Sequence, residues 1–193
     1  LEQTIDVKSV AARGFKVVID YSYGSTSFVM PNVLSKLGAE VLAVNPFAST
    51  RGMLGFDREE HAAGVANLVR ASGADLGAVI DPSGEQLTLV DDRGVVLSFD
   101  QLLMAFLDLV CDRLLGDRIA LPVTVSRVAA EVVRSRGYEV LWTKTSAAAL
   151  MEDADSPGVG FAANVEGGVI LPGFLPAFDA AAGLLKMLDL LAT

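Results

Sequence analysis

The chain has 193 residues, of which 52% are hydrophobic and 20% charged, a balance that describes a packed globular protein and excludes a mostly disordered one. Its formal charge of −9 and pI near 4.5 repel polyanions, which excludes nucleic acid and anionic membrane as main partners. A single cysteine, Cys111, rules out an internal disulfide and suits a reducing, cytoplasmic setting.

No signal peptide is recognised at the start, no uncharged stretch is long enough to span a bilayer, and Leu1 to Arg13 reads as a linker. Phe15 to Asp20 is a β-rich apolar run and Tyr21 to Ser25 a turn. Thr26 to Leu37 has helical spacing and stops at Gly38, after which Ala39 to Val44 reads as a second strand. This β-turn-α-β order predicts a parallel pair. Arg58 to Ser72 is helical, Leu76 to Ile80 a strand, Asp81 to Gln86 a polar loop, and Leu87 to Val90 a strand. The turn Asp91 to Gly94 and a further strand close the first unit.

Asp100 to Leu115 is an apolar helix in which Cys111 reads as a buried small hydrophobe. Then the grammar repeats. Strand Arg118 to Val123, helix Arg127 to Arg136 and strand Gly137 to Thr143 precede a helix at about Ala147 to Asp153. Strand Val159 to Ala163, loop Asn164 to Gly168 and strand Val169 to Leu171 follow. Gly38-Ala39-Glu40-Val41-Leu42 and Gly137-Tyr138-Glu139-Val140-Leu141 are near copies in equivalent places. The repeat predicts two similar α/β lobes, each a mixed sheet flanked by helices, over residues 14–99 and 100–193. The run from Ala177, broken by Asp179, Lys186 and Asp189, reads as an amphipathic packing helix.

Three loops stand where strands end, the usual ligand position in α/β folds. Asp81, Ser83 and Glu85 carry oxygens at alternating positions that could converge on Mg²⁺; Pro82 and Gly84 alone would also make an acidic turn. Asn164, Glu166, Gly167 and Gly168 suit close approach of a hydroxylated ligand, or a hairpin turn. Lys144 and Ser146 follow a strand and could hold a phosphate, or be solvated. His61, the only histidine, lies on a polar helical face and reads as solvated.

The order of these pieces resembles the α-D-phosphohexomutase superfamily, the phosphomannomutases and phosphoglucomutases, over about Phe15 to Ala192. KVVIDYSYGSTSFVMPNVLSKLGAEV is similar to the opening of the family's second domain, and ADLGAVIDPSGEQLTLVDDRG to its metal-loop strand pair. LPVTVSR, GYEVLWTKT and GGVILPGFLPAFDA resemble the third domain. The resemblance implies hexose-phosphate chemistry, with a phosphoryl group moved between the 6- and 1-positions by a phosphoserine and Mg²⁺.

It also implies a first domain carrying the phosphoserine and a fourth gripping the substrate phosphate, neither recognisable in this chain, which alone should not turn over substrate. The family's metal loop reads Asp-Gly-Asp-x-Asp-Arg. Here Asp81 matches, Ser83 and Glu85 replace the other two carboxylates, and Gln86 replaces the arginine. In the sugar loop Asn164 stands for the recognising glutamate and Glu166 for a serine; Ser146-Ala147 replaces a Gly-Asp or Gly-His pair. Mutase-like regions of this kind also occur, within the resemblance, as extensions of sugar nucleotidyltransferases, so a nucleotidyltransferase domain is an expected alternative neighbour, and a homo-oligomer an alternative assembly.

Overall fold

The computed structural model describes residues 5–192, which divide into two compact units. The first holds the chain up to Leu97 together with the segment from Ala180; the second is Ser98–Asp179.

In the first unit, α1 (Val7–Arg13) starts at Asp6, whose carboxylate accepts the Lys8 and Ser9 amides at 3.0 and 3.1 Å, and stops at Gly14 in the left-handed region. The described part of the expected linker is therefore folded, because it is capped at both ends; residues 1–4 lie outside the described residues. Next comes β1 (Lys16–Asp20), the central strand, buried after its first residue. The expected helix at Thr26 to Leu37 is split into a 3-10 turn (Ser25–Phe28) and α2 (Met30–Lys36), the second beginning where Pro31 can occupy the first turn. Strand β2 (Glu40–Val44) is followed by a short helix the sequence did not signal, α3 (Thr50–Leu54), capped by Ser49.

Helix α4 (Arg58–Ser72) runs from the Asp57 cap to Gly73 and buries Ala62, Val65, Ala66 and Val69. These pack on Val18, Val79 and Val90 in one apolar cluster, each buried valine contributing about 1.5–3 kcal/mol. Strands β3 (Leu76–Ile80) and β4 (Leu87–Val90) complete a sheet of order β2-β1-β3-β4, parallel except for antiparallel β4. The strand expected after Asp91–Gly94 reduces to one bridge, Val90 to Val96.

The second unit repeats this plan. Helix α5 (Phe99–Val110) opens with a reciprocal capping box between Ser98 and Gln101. Then come β5 (Arg118–Pro122), α6 (Arg127–Ser135), β6 (Glu139–Thr143), α7 (Ala147–Ala154), β7 (Val159–Ala163) and β8 (Val169–Ile170). Their sheet order, β6-β5-β7-β8, is the same as the first with the same single antiparallel strand. Cys111 is 4% exposed, and burial pushes its thiol above the ordinary range.

The last helix, α8 (Ala180–Leu191), groups with the first unit rather than with the second lobe to which residues 100–193 were assigned. Contact is physical as well as topological: the Ala180 amide donates to Gly84 O at 2.9 Å and the Asp6 amide to Asp189 Oδ1 at 2.8 Å. Asp189 is itself 2% exposed and holds Lys186 at 2.7 Å, so this charge lies in the packed face and not on a solvated one. Among the described residues no helix is long and apolar enough to cross a membrane.

Candidate functional site

Both sheets carry their loops at the carboxyl ends of the parallel strands. In the first unit Asp20, Asn45 and Asp81 stand just at or beyond the ends of β1, β2 and β3. In the second, Lys144 follows β6 and Asn164 follows β7, with β5 between them. Two strand spacings put those last two backbones about 10 Å apart on one edge.

The expected metal loop is folded around Asp81. Its Oδ1 accepts the amides of Glu85 at 2.8 Å and Gln86 at 2.7 Å, and its Oδ2 accepts the Ser83 amide at 3.3 Å and the Ser83 hydroxyl. Both carboxylate oxygens are therefore turned into the loop that they shape. Ser83, which would be the second ligand, spends its proton on the first. Gln86, where the family has arginine, takes a hydrogen bond from Arg58, which also reaches Thr88 Oγ1 at 3.3 Å. Among the described residues no three His, Cys, Asp or Glu side chains gather as a metal-binding group. These residues do not fit a three-carboxylate Mg²⁺ site.

The expected sugar loop has the same internal wiring. Asn164 Oδ1 accepts the amides of Glu166 at 2.9 Å and Gly168 at 2.8 Å, while Gly167 takes a φ of 86°. A Cβ at Gly168 would lie 2.6 Å from the Phe178 ring, so only glycine lets that ring cover the loop. The crevice between this loop and α5 has a volume of only ≈ 10 Å³. Lys144 is exposed, and Ser146 caps α7 by accepting the Ala149 amide at 3.3 Å.

One pair escaped the sequence altogether. His61, expected to be solvated, has a side chain only 12% exposed, and its Nδ1 lies 2.8 Å from Oδ2 of Asp20. The correction has a plain cause: α4 lies against β1, which brings together residues 41 apart in the chain. Asp20 is 2% exposed and is held further by the Ser22 amide at 2.8 Å and the Asn45 side-chain amide at 3.0 and 3.1 Å. An acidic residue closing a strand and a lone histidine on a helix were the only signals available, and no local spacing links them.

Two similar α/β units, each with a strand-loop-strand segment at the same end of its four-stranded mixed sheet, make up the fold expected of the phosphohexomutases. Residues 1–94 match the family model "Phosphoglucomutase/phosphomannomutase, alpha/beta/alpha domain II". The probable phosphoglucosamine mutase of Methanopyrus kandleri is 33% identical over 163 residues, covering 79% of this chain and 35% of that protein. A phosphoglucomutase/phosphomannomutase of Thermococcus kodakarensis is 27% identical over 198 residues, covering all of this chain and 42% of its own length. The crystal structure of a phosphoglucomutase/phosphomannomutase family protein from Burkholderia thailandensis shares the fold, with a TM-score of 0.82 at 24% identity over 96% of this chain and 43% of that one. The chain belongs to the α-D-phosphohexomutase superfamily. It spans between a third and a half of the length of these relatives.

Proposed function

We propose that this chain is the two-unit core of a hexose-phosphate mutase-like protein and acts in sugar-phosphate recognition or assembly without itself carrying the metal-dependent step. The observation that supports this reading is the Asp81 loop. Both Asp81 oxygens are engaged inside the loop by three backbone amides and a hydroxyl, and with Ser83 at the second position the set offers two carboxylates where a three-carboxylate site would have three. Lys144, Glu166 and Asn164 remain as polar groups at the strand ends of the second unit, where a phosphorylated hexose would be met.

In a longer protein of this family the natural setting is a neighbouring catalytic domain, either the remaining mutase domains or a sugar nucleotidyltransferase. The phosphoryl transfer between the 6- and 1-positions of a hexose then belongs to the whole assembly. Isothermal titration of the chain with MgCl₂ tests the loop directly. Heat-silent titration at millimolar metal is expected, whereas a saturable isotherm lost in Glu85→Ala would restore a working metal loop. Mutase turnover by the longer protein that collapses in Glu85→Ala would overturn the non-catalytic reading.

A further inference from the structure

The Asp20–His61 pair is built in a way that the fold alone does not require. The Asp20 carboxylate is an acceptor only, so Nδ1 of His61 carries the proton between them and the opposite ring edge, Nε2, is left for another partner. Among the described residues none bonds to Nε2. Phe56 stands edge-on to the imidazole at 4.9 Å and Tyr23 at 6.3 Å, which fixes the ring plane. Three non-glycine residues with left-handed backbone surround the pair: Ser22 at φ 47°, Tyr23 at 60° and Asn45 at 48°. Ser22 and Asn45 are the two residues that hold Asp20. Backbone strain of this kind persists where the surroundings over-determine it, and it collects at ligand sites.

His61 lines an open cleft of ≈ 430 Å³ together with Tyr23, Ser49, Arg51 and Glu60. Arg51 makes no ion pair with any described residue. Ser49 accepts the Gly52 amide at 3.2 Å and so keeps its hydroxyl proton to give. The cleft thus offers an oriented imidazole, a free guanidinium and a hydroxyl donor beside one carboxylate.

We propose that this cleft binds the phosphate group of a phosphate monoester, with Arg51 and His61 Nε2 on its oxygens and Ser49 donating a third bond. Glu60 sets the selectivity. It repels a fully ionised tetrahedral anion but tolerates one that carries a proton, and a phosphate monoester, whose second ionisation lies near pH 6, can take up one that it shares with Nε2. Sulfate has none to share. The inference does not depend on the mutase reading, and the Mg²⁺ titration that tests that reading leaves this one untouched.

Because His61 is the only histidine, its ring Cε1–H resonance reports the cleft without ambiguity. Titration with inorganic phosphate near pH 6.5, at constant ionic strength, is expected to move that resonance saturably. Sulfate should act about tenfold more weakly, and Arg51→Met should weaken phosphate about tenfold, the loss of one charge-assisted contact. Arg51 is exposed, and an unchanged methyl spectrum confirms that the variant is folded. No saturable shift with phosphate, equal responses to phosphate, sulfate and chloride, or an undiminished response in Arg51→Met would each overturn the assignment.

Discussion

Tyr21 shows how a residue can be buried for its bulk at the expense of its polarity. It follows β1, is 0% exposed, and its hydroxyl bonds to no described residue. Burial pushes its phenol up from 10.0 to about 12. The unfolded chain therefore loses this proton near pH 10 while the folded chain keeps it, so stability falls as pH rises from 10 to 12. That component is on the order of 3 kcal/mol, since each tenfold change in proton affinity is worth about 1.4 kcal/mol. Tyr21→Phe removes both the unpaired hydroxyl and the titration. The unfolding free energy from urea titration is expected to rise by about 1 kcal/mol at neutral pH, and the decline between pH 10 and 12 should flatten; an unchanged alkaline slope would mean that Tyr21 ionises freely in the fold. At this scale the sequence was least informative. Asp81 and Asn164 could be picked out as loop residues, but whether their oxygens faced outward or into the loop depended on backbone amides that side-chain spacing does not encode. His61 could not be paired with Asp20, because that contact is made by tertiary packing.

Secondary elements were far more legible, since each has a local cause. Strands β3 and β4 and helix α4 lie where the apolar period puts them, and the β1–β2 pair is parallel as the β-turn-α-β order required. The helix from Thr26 failed at Val29, where the turn changes pitch before Pro31, and α3 is too short to leave a periodic trace. Contact between elements explains Gly77, which has no turn to make. A Cβ there would lie 2.6 Å from Val65 Cγ1, 2.8 Å from Val69 Cγ2 and 3.0 Å from Val90 Cβ. Valine cannot swing aside as a long side chain can. Gly77→Ala should therefore push α4 off the sheet and cost about 1–3 kcal/mol, although alanine is otherwise the better strand former. Chemical denaturation decides it: a neutral or stabilised variant would show that the α4–β3 seam has slack.

Across the whole molecule the repeat was readable because two copies of one supersecondary pattern leave two copies of one sequence pattern. The return of α8 was not, because a helix carries no address in its own periodicity. Twelve residues long, α8 buries nine of them, including Leu184, Leu185 and Leu188. At about 1.5–3 kcal/mol for each large apolar side chain, this helix contributes as much as the 5–15 kcal/mol by which a whole domain is stable. Removing it should therefore unfold the unit to which it belongs and spare the other. A chain ending at Asp179 is expected to lose amide protection in β1, β3 and β4, and to keep it in β5 and β7. Hydrogen exchange resolved by residue reads both sheets in one experiment. If α8 instead completed the second lobe, as the division at residue 100 supposed, the protection would vanish from β5 and β7. The two partitions of the chain predict opposite halves of the same exchange map.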